Sequence, residues 1–320
     1  AAGLKIFGPT QQAAQLETSK LFAKEFMRRH QIPTADYASF TDPVLAHQHI
    51  DHSPIPLVIK ADGLAAGKGV IVAQTREQAH AAVNAILVER HLGTAGNEII
   101  IEEFLQGIEV SFIVMVDEHS ALPLATSQDH KRLNDGESGP NTGGMGAYSP
   151  VPFVSPELHA KILRDIINPV IAGMKQDGRI YTGFLYAGLM ITSDDQAKVL
   201  EFNCRLGDPE TQPIMLRLKS DLFELIDHAV NGTLHSIDIE WDLRTALGVV
   251  MTAHGYPDNP RRNDTIRGLS ALMSQQKDTQ DFHIFHSGTI MGGLDDKEFM
   301  TAGGRVLCAT ALGENIRIAQ

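Results

Sequence analysis

The sequence predicts an α+β protein: two α+β lobes followed by a mainly β C-terminal subdomain. Three observations carry this. Residues 56–60 (PLVIK) and 70–73 are short apolar strands joined by a glycine-rich loop, with a helix behind them. Residues 182–192 (TGFLYAGLMIT) form a nearly continuous apolar run, the mark of a strand central to a second sheet, and 199–203 forms a strand beside it. After Asn231-Gly232 the character changes to short strands at 246–253, 282–287 and 305–311, separated by Gly, Pro and Asp turns.

The chain opens AAGLKIFGP, without Met, and residues 4–7 read as a strand entering a turn at Gly8-Pro9. They resemble the last strand of a domain whose earlier part is missing. Residues 11–30 read as one helix ending before Pro33, with Leu21, Phe22 and Phe26 on one side and Lys20 on the polar side, where a lysine is ordinarily solvated. The loop 61–69, ADGLAAGKG, is built of small residues, so its backbone N–H groups can approach an anion closely. Lys60 and Lys68 supply charge to it. It is not a Walker A loop, because Gly67-Lys68 is followed by Gly69 rather than Ser or Thr. Residues 75–78 (TREQ) form a capping box, and the helix behind it carries Ala79, Val83, Ile86 and Leu87 at core spacing. Residues 36–100 thus make a small unit able to move as a lid.

Residues 98–105 (EIIIEEFL) and 108–116 read as strands. On their own they form a plain hairpin with one surface Glu; alternatively, backbone near Glu103–Leu105 meets a purine edge and Glu109 receives ribose hydroxyls. Residues 127–148 (SQDHKRLNDGESGPNTGGMGAY) read as a long irregular loop, since Gly, Asn and Pro disfavour regular structure. Its basic run and its Asn-Thr-Gly-Gly donors suit a small anionic or zwitterionic substrate, although such a run also occurs as a solvated turn. Residues 156–174 and 213–231 read as helices. His254, His283 and His286 share no ligand spacing and read as structural or surface residues.

The chemistry concentrates at 198–211, KVLEFNCRLGDPET. Strand alternation puts Glu201 and Asn203 on one face, roughly 7 Å apart, with Leu200 and Phe202 on the other. Two hard oxygen donors on one face suit Mg²⁺. Arg205 is a natural phosphate clamp.

The net charge of −12, from 39 acidic and 27 basic residues, disfavours a general affinity for nucleic acid or anionic membrane. Two cysteines without metal-type spacing fit a reducing cytoplasm. There is no membrane-length apolar run and no visible signal peptide. A monomer or weak dimer is expected.

Taken together, VIKADGLAAGKGV, EEFLQGIEVSF, SQDHKR, GPNTGGMGAYSP, TGFLYAGLMI and EFNCRLGDPETQ resemble the phosphoribosylamine–glycine ligase family of the ATP-grasp superfamily, essentially along the whole chain. The resemblance implies an ATP-grasp fold with its N-terminal nucleotide-fold domain largely missing. The implied division is 1–16 as a remnant of that domain, 17–35 and 101–235 as the large lobe, 36–100 as the lid lobe, and 236–320 as the C-terminal subdomain. It implies ATP phosphates held by Lys20 and Lys60 under a loop including Asp62, Gly63, Gly67, Lys68 and Gly69. It also implies an adenine hinge at Glu102, Glu103, Phe104 and Leu105, and ribose at Glu109. Glu201 and Asn203 would bind Mg²⁺ or Mn²⁺, with Arg205, Lys60 and Asp208 catalytic. Asp129, Lys131, Arg132, Gly143, Gly144, Gly146, Pro209 and Glu210 would shape the pocket for glycine and 5-phosphoribosylamine. The reaction implied is amide formation through a glycyl phosphate in purine biosynthesis. Unlike many ATP-grasp relatives, the strand at 182–192 carries no metal carboxylate. Two alternatives stand beside this reading: a ligase for another carboxylate and amine, or an ATP-binding fragment without turnover.

Overall fold

The computed structural model of the chain describes residues 3–63, 69–276, 279–292 and 298–320. In chain order the elements are α1 (Gln15–Thr18), α2 (Lys20–Arg29), β1 (Tyr37–Phe40), α3 (Pro43–His52), β2 (Leu57–Ala61), β3 (Val70–Ala73), α4 (Arg76–Val83), β4 (Ile99–Glu103), β5 (Ile108–Val116) and β6 (Ala121–Pro123). Next come β7 (Gln128–Asn134), β8 (Ser138–Ser149), α5 (Pro156–Ile162), α6 (Asn168–Gln176), β9 (Gly183–Ile191), β10 (Ala197–Asn203), α7 (Thr211–Arg217) and α8 (Leu222–Val230). The remainder is β11 (Thr245–Thr252), β12 (Thr265–Ile266), α9 (Leu269–Gln276), β13 (Phe282–His286), β14 (Thr289–Gly292), β15 (Glu298–Thr301), β16 (Arg305–Gly313) and α10 (Ile316–Ala319).

The chain divides into two compact units, 1–123 with 154–206 and 223–237, and 124–153 with 207–222 and 238–320. This differs from the expected division. Residues 124–153 and 207–222 leave the large lobe, because β8 pairs with β11 from Ser149↔Ala246 to Gly146↔Val249.

The first unit holds two antiparallel sheets. The smaller has order β1-β4-β2-β3. One of its faces, with Leu57, Ile59, Ile99 and Ile101, packs on Ala46 and Ile50 of α3 and on Ala79, Ala82 and Val83 of α4. Thr75 caps α4 as predicted, accepting from Gln78 N, but the return bond of the capping box falls one residue early, with Gln78 Oε1 accepting from Gln74 N at 2.8 Å. The larger sheet has order β10-β9-β5-β6. Its strand β9 is buried along almost its full length, as the apolar run predicts. Phe112 of β5 packs on the His159 ring of α5, ring centroids 4.9 Å apart.

The second unit holds a sheet of order β13-β16-β11-β8-β7 and a small one of order β12-β15-β14. The predicted strands of the C-terminal region are thus all present as β11, β13 and β16.

Several local expectations are corrected. The segment 127–148 is not irregular: β7 and β8 form a hairpin, with register shifts between His130 and Arg132 and between Arg132 and Asn134. Its glycines allow close packing; a Cβ on Gly146 would lie 2.6 Å from the Gly248 carbonyl oxygen of β11. The helix at 11–30 breaks at Ser19, which is extended and caps α2 by accepting from Phe22 N. The helix at 213–231 breaks at Leu218, extended and bridged to Trp241. Residues 4–7 form no strand: Lys5 Nζ donates to Asn231 Oδ1, Phe7 packs edge-on against Phe184 with ring centroids 4.9 Å apart, and Leu4 and Ile6 are exposed.

Candidate active site

The two sheets of the first unit each present one polar face. On the smaller sheet Lys60 pairs with Ile100 and Val58 with Glu102, so Lys60 and Glu102 share the face opposite α3 and α4. On the larger sheet the register Glu109↔Met190, Ser111↔Gly188 and Glu201↔Gly188 puts Glu109, Ser111 and Glu201 on one face, with Asn203 opposite Tyr186 on that face as well.

Strand β10 departs from the simple alternation. A bulge lies between Val199 and Glu201, so Leu200 is the extra residue. Leu200 packs with Ala35, Leu105 and Met190. It therefore lies on the face of Glu201, not on the opposite face as alternation alone implies. Val199 and Phe202 fill the core instead. The bulge leaves the Leu200 carbonyl to accept from Lys60 Nζ at 3.1 Å, joining the two sheets at this point. Glu201 is exposed and Asn203 half-buried. Arg205 Nη2 donates to Asn203 Oδ1 at 3.4 Å, and its Nε lies 3.3 Å from Glu17 Oε1. Glu17 Oε2 also accepts from Cys204 N at 2.7 Å, so α1 fixes the exit of β10. Burial pushes the Cys204 thiol up to about 11, which leaves it a protonated bystander.

Lys20 begins α2 and is not the solvated lysine of an isolated helix. Burial lowers its pKa, and Glu201, Lys60, Asp62 and Glu102 all act on it electrostatically. Its Nζ donates to the Gly63 carbonyl at 3.3 Å. Lys20, Lys60, Glu102 and Glu201 are thus brought together from a helix and both sheets.

Asp62 has a different place from the one expected. Its carboxylate caps α2, accepting from Leu21 N at 2.7 Å and from Ser19 Oγ at 3.0 Å. It anchors the start of the glycine-rich loop. Gly63 N donates to the Ala95 carbonyl at 3.2 Å, and Gly69 closes the other end by accepting from Ala61 N at 2.8 Å. Gly67 and Lys68 lie outside the described residues.

The hinge assignment is also refined. Glu102 is buried, with Oε2 3.2 Å from Lys24 Nζ and Oε1 3.0 Å from Lys60 Nζ. The Lys60 approach is an ion pair without hydrogen-bond geometry, so Oε1 has no donor among the described residues. Its carboxylate therefore lies between two lysine ammonium groups. Glu103 accepts from Asp36 N at 3.1 Å and from Lys198 Nζ at 3.0 Å. The ladders of β4 end at Glu103, so Phe104 and Leu105 lie outside its sheet pairing.

The second unit carries the other expected residues. Asp129 and Lys131 lie on β7 with 3.8 Å between their charged atoms, and Arg132 Nη1 donates to the Gly139 carbonyl at 2.9 Å. Thr142 Oγ1 donates to the Lys131 carbonyl and accepts from Gly144 N. Gly144 has φ +114°, and a Cβ there would overlap Pro209. Glu210 is buried, its carboxylate lying against Gly207. Sequence reasoning missed Arg305. Its Nη1 donates to the Gly143 carbonyl at 2.6 Å and to Asp208 Oδ1 at 3.0 Å, and its Nη2 to Asp208 Oδ2 at 2.5 Å. It ties the glycine-rich strand to the Asp208 turn, and Tyr256 Oη accepts from Gly143 N at 2.9 Å. The only sequence signal was an Arg flanked by Gly303-Gly304 at the start of a strand. Lys24 was missed as well.

Among the described residues no group of three or more His, Cys, Asp or Glu converges as a metal cluster, and no helix is long and apolar enough to cross a membrane. Two polar-faced α+β lobes, with Lys60 on the smaller and a Glu-x-Asn strand on the larger, define an ATP-grasp protein. A crystal structure of N5-carboxyaminoimidazole synthase from Aspergillus clavatus, in complex with ADP and 5-aminoimidazole ribonucleotide, shares this fold. It has a TM-score of 0.67 and 16% identity, over 98% of this chain and 73% of that one. The phosphoribosylglycinamide synthetase ATP-grasp (A) domain matches residues 18–211 and the C domain of that synthetase matches 246–320; the chain belongs to this family. It is 57% identical to the phosphoribosylamine–glycine ligase of Ralstonia nicotianae and 56% identical to that of Yersinia pestis. Each match covers the whole chain, and 74% and 73% of the relative respectively. A crystal structure of the ligase from Thermotoga maritima superposes with a TM-score of 0.85 at 33% identity, over 98% of this chain and 75% of that one.

Proposed function

We propose that the chain is an ATP-dependent ligase that joins glycine to 5-phosphoribosylamine, giving glycinamide ribonucleotide, ADP and phosphate, in purine biosynthesis. The observation that carries this is identity of 57% along the whole chain to a ligase of that name, in a chain whose Lys20, Lys60 and Glu201 converge.

A carboxylate is a poor electrophile. Transfer of the γ-phosphoryl group to glycine makes a glycyl phosphate, and the amine then attacks its carbonyl with phosphate as leaving group. Such transfer depends on positioning and on neutralising charge. Lys20 and Lys60 contribute cationic charge from two sides of the nucleotide. The backbone beyond Glu103 orients the base, and Glu109 the ribose. Arg205 faces the transferred group, held beside Asn203 and Glu17. Glu201 and Asn203 suit Mg²⁺ or Mn²⁺: both offer hard oxygens on one face, and the exposure of Glu201 leaves room for phosphate and water ligands. The ion, when bound, neutralises phosphate charge. In the second unit, Asp129, Lys131, Arg132 and the backbone of 143–146 bind the zwitterionic and phosphorylated substrates, with Asp208, Pro209 and Glu210. Residues 36–100 act as a lid that excludes water from the acyl phosphate. A cytoplasmic monomer or weak dimer belongs to the same proposal and accords with two unpaired cysteines.

The test is incubation with ATP, Mg²⁺, glycine and phosphoribosylamine, following ADP and glycinamide ribonucleotide. ADP release that requires both substrates is expected. Release with a different acid or amine would transfer the site to another ligase reaction, and nucleotide binding without release would make the chain an ATP-binding fragment.

A further inference from the structure

Lys24 has no role in the site described so far, yet only 2% of it is exposed. Its ammonium lies 3.2 Å from Glu102 Oε2 and donates to Thr34 Oγ1 at 2.8 Å and to the Ala35 carbonyl at 3.2 Å. Thr34 Oγ1 donates in turn to the Val199 carbonyl at 2.7 Å. Lys60 sits at the other oxygen of Glu102 and donates to the next carbonyl of the bulge, that of Leu200. One buried carboxylate therefore lies between two ammonium groups, and both arms of the cluster end on consecutive carbonyls of β10.

Withdrawing a second lysine from water costs several kcal/mol unless it is well paired. A leucine or methionine would fill the same space in α2 without that cost. What the lysine adds is charge balance. If Glu102 faced Lys60 alone, the pair would sum to zero. With Lys24 present, the three groups sum to +1.

We propose that Lys24 is a positioning residue for Lys60. By occupying one oxygen of Glu102, it keeps the Lys24–Glu102–Lys60 cluster net positive and holds the Lys60 ammonium at the β10 bulge, where nucleotide phosphates meet it. This rests on the nucleotide reading of the site above. The groups facing Lys24 are Glu102 and Glu103 from β4, Lys60 from β2 and the Tyr37 ring from β1, 5.6 Å away, with Arg28 of its own helix over that same ring. Burial pushes Lys24 down to about 8. Above that pH it is increasingly neutral, Glu102 turns wholly to Lys60, and the cluster loses its net charge.

The experiment is calorimetric titration with magnesium ADP at pH 7 and pH 9, for the parent chain, Lys24→Met and the double variant Lys24→Met/Glu102→Gln. At pH 7 Lys24→Met should bind about tenfold more weakly, the scale of one lost charge at close range. The double variant, again with one net positive charge, should recover to within about threefold of the parent. From pH 7 to 9 the parent should lose affinity and Lys24→Met should lose less. Binding by Lys24→Met equal to the parent, or a double variant as weak as Lys24→Met, would overturn the proposal. If Lys24→Met does not fold, the parent decides: an affinity unchanged from pH 7 to 9 overturns it. A parent that binds no magnesium ADP would overturn the nucleotide reading itself, a distinct outcome.

Discussion

A single methyl group at Gly144 should be felt across β8 and the Asp208 turn that packs on it. The residue has φ +114°, and a Cβ there would overlap Pro209 Cδ while lying 3.1 Å from Pro209 Cγ and 3.3 Å from the Asp208 carbonyl oxygen. Gly144→Ala therefore meets two costs at once. A left-handed backbone costs an L-residue about 1–2 kcal/mol, and an extra carbon forced into filled space about 1–3 kcal/mol, together about 2–5 kcal/mol. Neither neighbour can easily yield, because Pro209 is a ring and Arg305 holds both the carbonyl and the carboxylate of Asp208. Urea unfolding followed by circular dichroism measures the loss, against a total stability of about 5–15 kcal/mol for a typical protein. On the proposed placement of glycine beside Gly144 and Pro209, the same distortion should raise the KM for glycine more than that for ATP. A variant within about 0.5 kcal/mol of the parent and with unchanged glycine KM would refute the reasoning.

Glu201→Gln should leave stability within about 0.5 kcal/mol, because the side chain is exposed, yet cut Mg²⁺-dependent ADP release about 100-fold; coupled-enzyme assay and thermal melting check the two halves. Arg305→Met should cost about 1–2 kcal/mol, discounted for the half-exposed Asp208, and raise the glycine KM, as read by denaturation and initial rates. Lys24 also makes stability depend on pH. Its folded pKa is depressed to about 8, so between that value and the usual lysine range the unfolded chain binds more protons, and stability rises with pH. The gain across that window is about 3 kcal/mol, and it should be absent from Lys24→Met in urea titrations at pH 8 and 10.

Most of the large elements were legible because burial repeats locally: the buried β9 run, the alternating β5 and the Thr75 cap of α4 all depend on neighbours in sequence. The convergence of Glu201 and Asn203 followed from strand period as well. The bulge was missed, although Val199 and Leu200, two apolar residues in succession before a charged one, were a sign that alternation fails there. The hairpin of β7 and β8 was hidden because its glycines and Pro140 disfavour a strand locally and its pairing is broken by register shifts, while the support for its 146–149 end comes from β11, about a hundred residues away. Lys24 and Arg305 escaped for a related reason. A lysine's burial and an arginine's partners are set by Glu102 and Asp208, which no local pattern connects to them.

The bulge in β10 also makes this segment more vulnerable to a shortened chain than to a changed side chain. Deleting Leu200 would restore even pairing and leave Glu201 opposite Gly188, yet it would remove the carbonyl that accepts from Lys60 Nζ and the side chain that packs with Ala35, Leu105 and Met190. Length here is a more stringent requirement than composition: loss of the Leu200 codon should impair turnover where conservative replacements of its side chain, which keep the carbonyl, are survived.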